Sequence, residues 1–248
     1  RPLSDLDQHI FIEMRKLAFF LSLFLLFSCS QKNDIRIEGE LENGNGRTLH
    51  LSLLTPDGLQ KLDSSVVRHN SFKFNIRQKQ LADFLATDEP GFFQLSLSAD
   101  NGLTTLVKCG QTVHISADAN RLIRTYRVQG PEDAVLMWQL DSALAAFAQY
   151  TDTLLQIYQY YMDNDSVRSE VERRYNQATV AHQQFLRDFI TKHSRSFSSM
   201  IAFYQVYNQH RFFDEKEDAE LLRMLTDSLG VDYFNSQYVR YLQSRLDL

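Results

Sequence analysis

The hydrophobic and polar positions follow a period of two along residues 35–130, where short alternating runs are separated by turn-forming clusters. The clusters at 42–46 and 55–58 are rich in Gly, Asn, Asp and Pro, which favour tight turns. Alternation of this kind is typical of strands with one buried and one solvent-facing side. We therefore predict an antiparallel β-sandwich or barrel, with strands near residues 35–37, 48–54, 59–67, 72–76, 93–97, 103–107, 113–115 and 126–128.

Beyond Gly130-Pro131 the period lengthens to about 3.5 residues, which indicates helices. Apolar residues step alternately by four and three positions along two stretches, and each stretch predicts a long helix with one apolar seam. The polar run at 163–166 separates the helices and can cap the second one, so we expect an antiparallel hairpin. The predicted seams are Leu136, Leu140, Ala143, Phe147, Tyr150, Leu154, Ile157 and Tyr161 on the first helix, and Val171, Tyr175, Ala178, His182, Phe185 and Phe189 on the second.

Three shorter helices are predicted after the hairpin. The first covers residues 197–208, the second runs from Asp214 to Gly230, and the third covers residues 236–246. Asp214 and Glu217 have the spacing of a capping box, and Gly favours a helix end. The predicted fold class is therefore α+β, with an N-terminal β domain at residues 35–130 and an α-helical domain at residues 131–248.

The N-terminal segment combines a short basic start with an uninterrupted apolar run. Met14-Arg15-Lys16 precedes eleven apolar or small residues at 17–27, and Ser28-Cys29 follows. This is the layout of a secretory signal, and the run is too short for a membrane-spanning helix, which needs about 20 apolar residues. Residues 26–29 resemble the lipobox of bacterial lipoproteins, although Phe27 departs from the usual small or branched residue. We predict a lipoprotein signal peptide at residues 14–28 and lipid attachment at Cys29.

The segments on either side of the signal have separate interpretations. Residues 1–13 do not begin with Met and would bury the basic start behind mixed charges, so we expect a non-native leader there. Residues 29–34 are polar and form a short tether. Acyl chains on Cys29 would hold the protein to a membrane at about 0.8 kcal/mol per buried methylene. We expect a cell-envelope location at the outer membrane, on its periplasmic side or surface.

Charge and cysteine content exclude several classes of function. Lys and Arg total 26 and Asp and Glu total 31, so the net charge is −5. Nucleic-acid binding requires a clustered basic excess, and we predict no nucleic-acid partner. If Cys29 is acylated, Cys109 has no intramolecular partner, and the chain has no Cys-x-x-Cys redox pair. Cys109 itself is either a semi-exposed free thiol or a buried inert one.

The candidate chemical motifs have simpler structural explanations. No His pair has zinc-protease spacing, so we expect His50 and His114 at exposed or edge-facing strand positions and His182 in a core or interface. The acidic run 163–165 lacks the Gly and Glu of a calcium loop, and Asp63 fits the end of a strand. No nucleophile elbow, phosphate loop or dinucleotide fingerprint occurs. We predict no catalytic residue, no metal and no cofactor.

Residues 35–130 resemble the N-terminal β domain of unknown function DUF4369 found in Bacteroidetes lipoproteins. In that family the domain often precedes a helical linker and a thioredoxin-like domain of TlpA/ResA-like thiol:disulfide interchange lipoproteins, and the helical half here resembles that linker. The resemblance implies an envelope location and this architecture. No residue matches the catalytic positions of the thioredoxin domain, so it implies no oxidoreductase activity. The matching motifs are Ile37-x-Gly39-x-Leu41, Leu49-His50-Leu51, Leu62-Asp63-Ser64, Ser71-Phe72-Lys73-Phe74, Gly110-Gln111-Thr112-Val113-His114-Ile115 and Val128-x-Gly130, with residues 193–199 in the linker.

These features leave three hypotheses about function. The first is a non-catalytic, membrane-anchored envelope module that binds a partner protein, such as a separate thioredoxin-like redox protein, on its helical face. The second is a truncated or split thiol-disulfide oxidoreductase without its catalytic domain. The third is a surface lipoprotein that binds glycans or nutrients through outward-facing aromatic residues on the β domain. Most of the 11 Tyr lie in the helical half, where either helix packing or a binding surface explains them.

Overall fold

The strand-like half of the chain forms two four-stranded sheets. They belong to a computed structural model that describes residues 33–86 and 88–246, so the predicted leader, the signal peptide and Cys29 lie outside the described residues. The strands are β1 (Ile35–Glu42), β2 (Thr48–Thr55), β3 (Gly58–Val66), β4 (Ser71–Ile76), β5 (Gly91–Ser98), β6 (Asn101–Val107), β7 (Thr112–Asp118) and β8 (Arg127–Gln129). Their order is β4-β1-β7-β8 in the first sheet and β3-β2-β5-β6 in the second.

All eight predicted strands are present, and their pairing is antiparallel with one exception. β1 and β7 are parallel, with Ile37 opposite Val113. A parallel pair needs a crossover connection, and the chain between these two strands passes through the second sheet. The described strands form two open sheets, so the barrel alternative was wrong.

Alternate residues of both sheets enter one apolar core. In β2, Leu49, Leu51 and Leu53 are buried, and the residues between them are only half-buried. Ile37 of β1 and Phe74 of β4 belong to the same buried cluster. Burying each such side chain stabilises the fold by about 1.5–3 kcal/mol. The period-two pattern therefore selects the face of each strand that points inward.

The helical half follows directly after β8. Its helices are α2 (Glu132–Tyr160), α3 (Asp165–Lys192), α4 (Ser198–Phe203), α5 (Ala219–Tyr233) and α6 (Gln237–Leu246), and one short helix, α1 (Leu122–Thr125), precedes β8 within the β half. The two long helices α2 and α3 pack against each other, as predicted. The side chain of Asn164 accepts a hydrogen bond from the Val167 backbone N–H at 3.2 Å, so the polar run caps α3 as expected.

The helices and the second sheet share a core. Phe92 of β5 lies 6.1 Å from the Phe197 ring, just before α4, and 5.1 Å from the Tyr238 ring of α6. The Tyr238 hydroxyl also donates a hydrogen bond to the Leu54 carbonyl of β2, at 2.6 Å. The residues from Asp34 onward accordingly form one compact unit.

The predicted helix over 197–208 was wrong in its second half. α4 ends at Phe203, and a short hairpin follows, made of β9 (Val206–Tyr207) and β10 (His210–Arg211). Asn208 and Gln209 both have positive φ angles, 47° and 66°, which make the two-residue turn of this hairpin. The spacing of apolar residues does not reveal this turn. Gln209 is compatible with a helix, and only its surroundings in the folded protein impose the left-handed conformation.

The predicted helix from Asp214 to Gly230 was also displaced. Asp214 accepts hydrogen bonds from the backbone N–H groups of Lys216 and Glu217, at 2.8 and 3.2 Å, so it closes a turn ahead of the helix. α5 begins only at Ala219 and continues through Gly230 to Tyr233. Burial of the apolar side of α5 outweighs the cost of about 1 kcal/mol for Gly inside a helix.

Gly39 lies where the backbone of β7 leaves no room for a side chain on β1. A Cβ atom placed on Gly39 would lie 1.7 Å from the carbonyl oxygen of Ile115, which is backbone and cannot rotate away. Gly230 is the opposite case, because a Cβ there meets no atom within 4 Å. The glycine in the sequence Ile37-x-Gly39-x-Leu41 is therefore required by a contact between strands that are distant in the sequence.

We expect Gly39→Ala to lower the free energy of unfolding by about 3 kcal/mol, because the strands must separate to admit the methyl group. Gly230→Ala is the matched control and should raise the free energy of unfolding by about 0.5–1 kcal/mol through helix propensity. Urea denaturation followed by circular dichroism measures both values. Equal stability of the Gly39→Ala protein and the unmodified protein would contradict this account of the parallel pair.

Candidate functional site

The α2–α3 hairpin extends past the end of the two sheets. α2 begins at Glu132, two residues after Gly130, and therefore beside Thr112 of β7. Gly130 is so near this strand that a Cβ atom on it would lie 2.8 Å from the Thr112 carbonyl oxygen. Within two turns α2 reaches the other end of β7, where the Trp138 indole N–H donates to the Tyr126 carbonyl at 2.9 Å. α2 has 29 residues and is about 43 Å long, whereas a strand of eight residues is about 27 Å long. The second half of α2 and the first half of α3 therefore project beyond the sheets.

The projecting part of the hairpin carries many exposed apolar side chains. Tyr160 is 81% exposed, Met162 62% and Leu155 52%, and all lie in the second half of α2 or just after it. The predicted seam is buried at Leu136, Leu140, Phe147, Leu154, Val171, His182 and Phe189 but exposed at Tyr150, Tyr161, Tyr175 and Phe185. Two helices bury only the strip along which they face each other, and a third or fourth helix is needed to cover the flanks. The seam is thus buried along most of the base of the hairpin, and its exposed tyrosines, Tyr150, Tyr161 and Tyr175, lie along the outer part.

A groove of about 560 Å³ follows this open side of the hairpin. Leu155 and Tyr158 of α2 line one side, Val171 and Tyr175 of α3 line the other, and Tyr207 of β9 closes its base. These side chains are apolar or aromatic, and the other residues that line the groove are mostly polar, among them Asp152 and Glu172. We call this feature the hairpin groove.

The base of the hairpin groove is held rigid by hydrogen bonds. The hydroxyl of Thr151 donates to the Tyr207 hydroxyl oxygen at 2.8 Å, and the Tyr207 hydroxyl donates to Asp152 at 3.0 Å. Below it, His182 stacks on Phe147 at 4.7 Å between ring centroids and shares a hydrogen bond of 2.7 Å with Gln205. Burial lowers the pKa of His182, so it stays neutral at neutral pH. The prediction of a core histidine is confirmed.

The other predicted histidine positions have mixed outcomes. His114 is exposed on β7, as predicted, with its ring 3.5 Å from the Glu38 carboxylate. His50 differs from its prediction, because it is half-buried on β2, an inner strand between β3 and β5. It faces the helices, which cover part of that side of the second sheet. Among the described residues, no group of His, Cys, Asp or Glu is arranged to hold a metal ion.

The remaining residues considered from the sequence have local structural roles. Cys109 is half-buried after β6, and its thiol pKa is raised by burial and by the carboxylates of Asp88 and Asp34. A raised pKa makes the thiol less reactive. Asp63 is exposed on β3 and accepts a hydrogen bond from the backbone N–H of Ser64, at 2.7 Å. Cys29 lies outside the described residues.

One polar pair was not anticipated from the sequence. The hydroxyl of Tyr126 is buried beneath α2 and donates to Asp141 at 2.6 Å. Burial raises the pKa of Asp141 to about 6, and the hydrogen bond from Tyr126 only partly opposes this shift. Asp141 follows Leu140 on a helix with many polar residues, so its position on α2 carries no signal of burial. Its surroundings come from α1 and the second sheet, which are distant in the sequence.

Comparison with known proteins assigns no family. No protein-family model matches the chain, and no curated protein matches it in sequence. Within residues 33–86 and 88–246, no helix has the length and apolar character needed to cross a membrane.

We expect Asp141→Asn to stabilise the protein in a pH-dependent way. The folded state binds a proton at Asp141 more tightly than the unfolded state does, so the stability contributed by the protonated carboxyl is lost as the pH rises from about 4 to about 6. Asn keeps an oxygen that can accept from Tyr126 and carries no charge. Near pH 7.5, above both pKa values, the variant should be more stable by about 3 kcal/mol, at about 1.4 kcal/mol per pKa unit.

Urea denaturation near pH 7.5 and near pH 4 measures this difference. Near pH 4 the folded unmodified protein and the folded Asp141→Asn variant are both uncharged at position 141. The stability advantage of the variant should therefore shrink to about 0.5 kcal/mol or less. If the variant were more stable by the same amount at both pH values, burial of the charged Asp141 carboxylate would not destabilise the fold.

Proposed function

We propose that this protein is a lipid-anchored envelope protein that acts without catalysis, as a binding or assembly module for another protein. In this proposal Cys29 carries the lipid, the two sheets pack as a β-sandwich of the DUF4369 type, and the helical half provides the docking surface. The observation that carries the proposal is the hairpin groove, an open apolar and aromatic site on a rigid projecting hairpin. Exposed apolar surface of this kind is typical of protein interaction sites.

The geometry supports a partner protein as the occupant of the groove. The tether at residues 29–34 reaches at most about 20 Å, so an anchor at Cys29 would hold the start of β1 near the membrane. α2 starts at that same end of the sheets and runs away from it. The hairpin groove would consequently point away from the anchoring membrane, toward other proteins of the envelope.

The partner we propose presents an amphipathic helix. The hairpin groove runs between two antiparallel helices whose exposed residues Leu155, beside the seam, and Tyr175, on it, have no covering layer. An apolar helix face laid into the groove would complete a helix bundle and remove these side chains from water. Tyr158 and Tyr207 can bury their rings there and keep their hydroxyl groups hydrogen-bonded, which suits an interface.

The distribution of exposed side chains favours this function over glycan binding by the β half. The large apolar side chains most exposed in the described part of the β half are Leu59, Val66 and Ile123, which are aliphatic. Carbohydrate platforms use aromatic rings, and the exposed aromatic residues lie in the helical half. The helical half is therefore the better candidate for the binding surface.

The lipid anchor predicts the membrane behaviour of two cysteine variants. We expect Cys29→Ala to move the protein from the membrane fraction to the soluble fraction, because the acyl chains provide the attachment. Cys109→Ala is the matched control and should stay in the membrane fraction. Carbonate washing of membranes followed by immunoblotting distinguishes the two. A Cys29→Ala protein that remains in the membrane fraction would rule out the proposed anchor.

The hairpin groove predicts where a partner will be crosslinked in cells. A photo-reactive amino acid at position 155 should give one main adduct with a second envelope protein, which mass spectrometry identifies. Position 180 is the control, because Val180 is 65% exposed and lies two and a half turns from Val171, on the opposite side of α3. We expect little adduct there.

Three outcomes would contradict this proposal. An adduct with twice the mass of the chain would show that the groove binds a second copy of this chain and not a different protein. Equal adducts at positions 155 and 180 would indicate random contact. In a third experiment the reactive residue is placed at position 158, Leu155 is left unmodified and Tyr175 is replaced by Glu. An adduct that forms as well as before this replacement would show that the apolar groove does not hold the partner.

A further inference from the structure

A second cavity, of about 720 Å³, lies between the second sheet and the helices, apart from the hairpin groove. Its floor is the helix-facing side of β2, β5 and β6. Met137 and Asp141 of α2 and Ile201 of α4 form its walls. We call it the sheet–helix cavity. A cavity of this size, with apolar walls and a few convergent polar groups, is typical of small-molecule sites.

The floor of the sheet–helix cavity is polar where the rest of the same sheet face is apolar. The strand register places Leu54, Phe92 and Leu106 in one row across β2, β5 and β6, and the helices cover this row. The next row consists of Ser52, Gln94 and Thr104, and the one after it includes His50 and Ser96. A face that serves only to pack helices would continue the apolar row. The change to polar residues provides hydrogen-bonding groups at the bottom of a cavity.

These polar side chains have no hydrogen-bond partner among the residues that the structure describes. In the described part of the chain, the side chains of Ser52, Gln94, Ser96 and Thr104 make no hydrogen bond to another residue, and all four are half-buried. They can therefore donate to and accept from a molecule in the cavity. Four neutral hydrogen-bonding side chains on three adjacent strands suit a ligand with hydroxyl, amide or amine groups.

The wall of the sheet–helix cavity adds a carboxylate without a positive counterpart. The Tyr126 hydroxyl bonds one oxygen of Asp141, which leaves the other oxygen for the cavity. Among the described residues that line the cavity there is no Lys or Arg, and a second acidic residue, Asp100, lies at the rim. At neutral pH Asp141 is ionised, because its pKa is about 6. The cavity therefore has a negative potential and attracts positive charge.

We propose that the sheet–helix cavity binds a small organic cation, whose protonated amine or guanidinium pairs with Asp141 and whose polar groups bond the serines, Gln94 and Thr104 of the floor. The apolar part of this ligand would lie against Met137 and Ile201. An ion pair in a partly dry cavity offsets the cost of burying Asp141, and this explains why an unpaired carboxylate is present there. This site does not depend on the proposed docking of a partner in the hairpin groove.

Isothermal titration calorimetry of the full chain, purified in detergent, tests the proposal with spermidine and agmatine as cationic probes. Octane-1,8-diol is the neutral control, because it matches the length and the apolar character of spermidine without its charge. We expect at least one cation to bind with a single site per chain. Asp141→Asn should weaken that binding at least about tenfold, the factor that corresponds to losing one charge-assisted hydrogen bond.

Two matched pairs of variants distinguish binding inside the sheet–helix cavity from non-specific attraction of cations to the protein surface. Asp100→Asn removes a rim charge and should change the affinity by less than about threefold. Ser96→Phe fills the floor of the cavity and should abolish binding, whereas Ser116→Phe places the same ring on the exposed side of β7 and should leave it unchanged. Circular dichroism confirms that each variant is folded.

The proposal fails if neither cation binds at concentrations up to about 10 mM, the weak limit for a specific small ligand. It also fails if Asp141→Asn binds as tightly as the unmodified protein, or if Asp100→Asn and Asp141→Asn lose affinity equally. Binding of the diol as tightly as spermidine would show that apolar contact, and not charge, selects the ligand.

Discussion

The structure depends on the second sheet being covered on both faces. One face contributes to the apolar core that it shares with residues of the first sheet, and the other packs on α4 and α6, so β5 must bury consecutive residues such as Phe92 and Phe93. Polar contacts hold α6 in place at this interface. The hydroxyl of Ser236 donates to the buried carboxylate of Glu89, and the Gln237 amide donates to the Phe84 carbonyl at 2.6 Å. Without this two-sided packing the strand half and the helix half would have separate cores, each smaller and less stable.

Both candidate binding sites arise where that packing ends. The helices cover the apolar row of the second sheet completely and its next two rows only partly, which leaves the sheet–helix cavity. α2 is longer than the strands on which it starts, so its outer half and the first half of α3 pack mainly against each other, with the β9–β10 hairpin at their base. The hairpin groove is the result. The two sites share α2, since Asp141 lies near its base and Leu155 near its outer end.

Asp141 is the residue whose position is hardest to explain by stability alone. Its side chain is half-buried, its pKa is raised by removal from water, and its one hydrogen-bond donor is Tyr126. Such a group lowers the stability of the fold at neutral pH. Residues that reduce stability in this way are found most often at functional sites. Glu89 is a contrasting case, because its buried carboxylate bonds Ser236 and the Ala86 backbone N–H and fixes α6 to the sheet.

The sequence by itself determined the local features of this protein. The period of two predicted all eight strands of the β half, the seam spacing predicted α2 and α3, and the seam position of His182 predicted its burial. These predictions were correct because burial of one side of a strand or helix imposes a short repeat on the chain. The same reasoning misplaced the end of α4 and the start of α5, where turns formed by Asn208 and Asp214 interrupt a pattern that still looks helical.

The tertiary structure alone decided which distant residues meet. It set the parallel contact that requires Gly39, the pairing of Tyr126 with Asp141, and the polar rows of β2, β5 and β6 that become the floor of a cavity. It also decided that Tyr150 and Tyr175 of the predicted seams are exposed. Periodicity reports only that a side of an element is apolar. Whether another element covers that side depends on the lengths and directions of all the elements, which no local pattern contains.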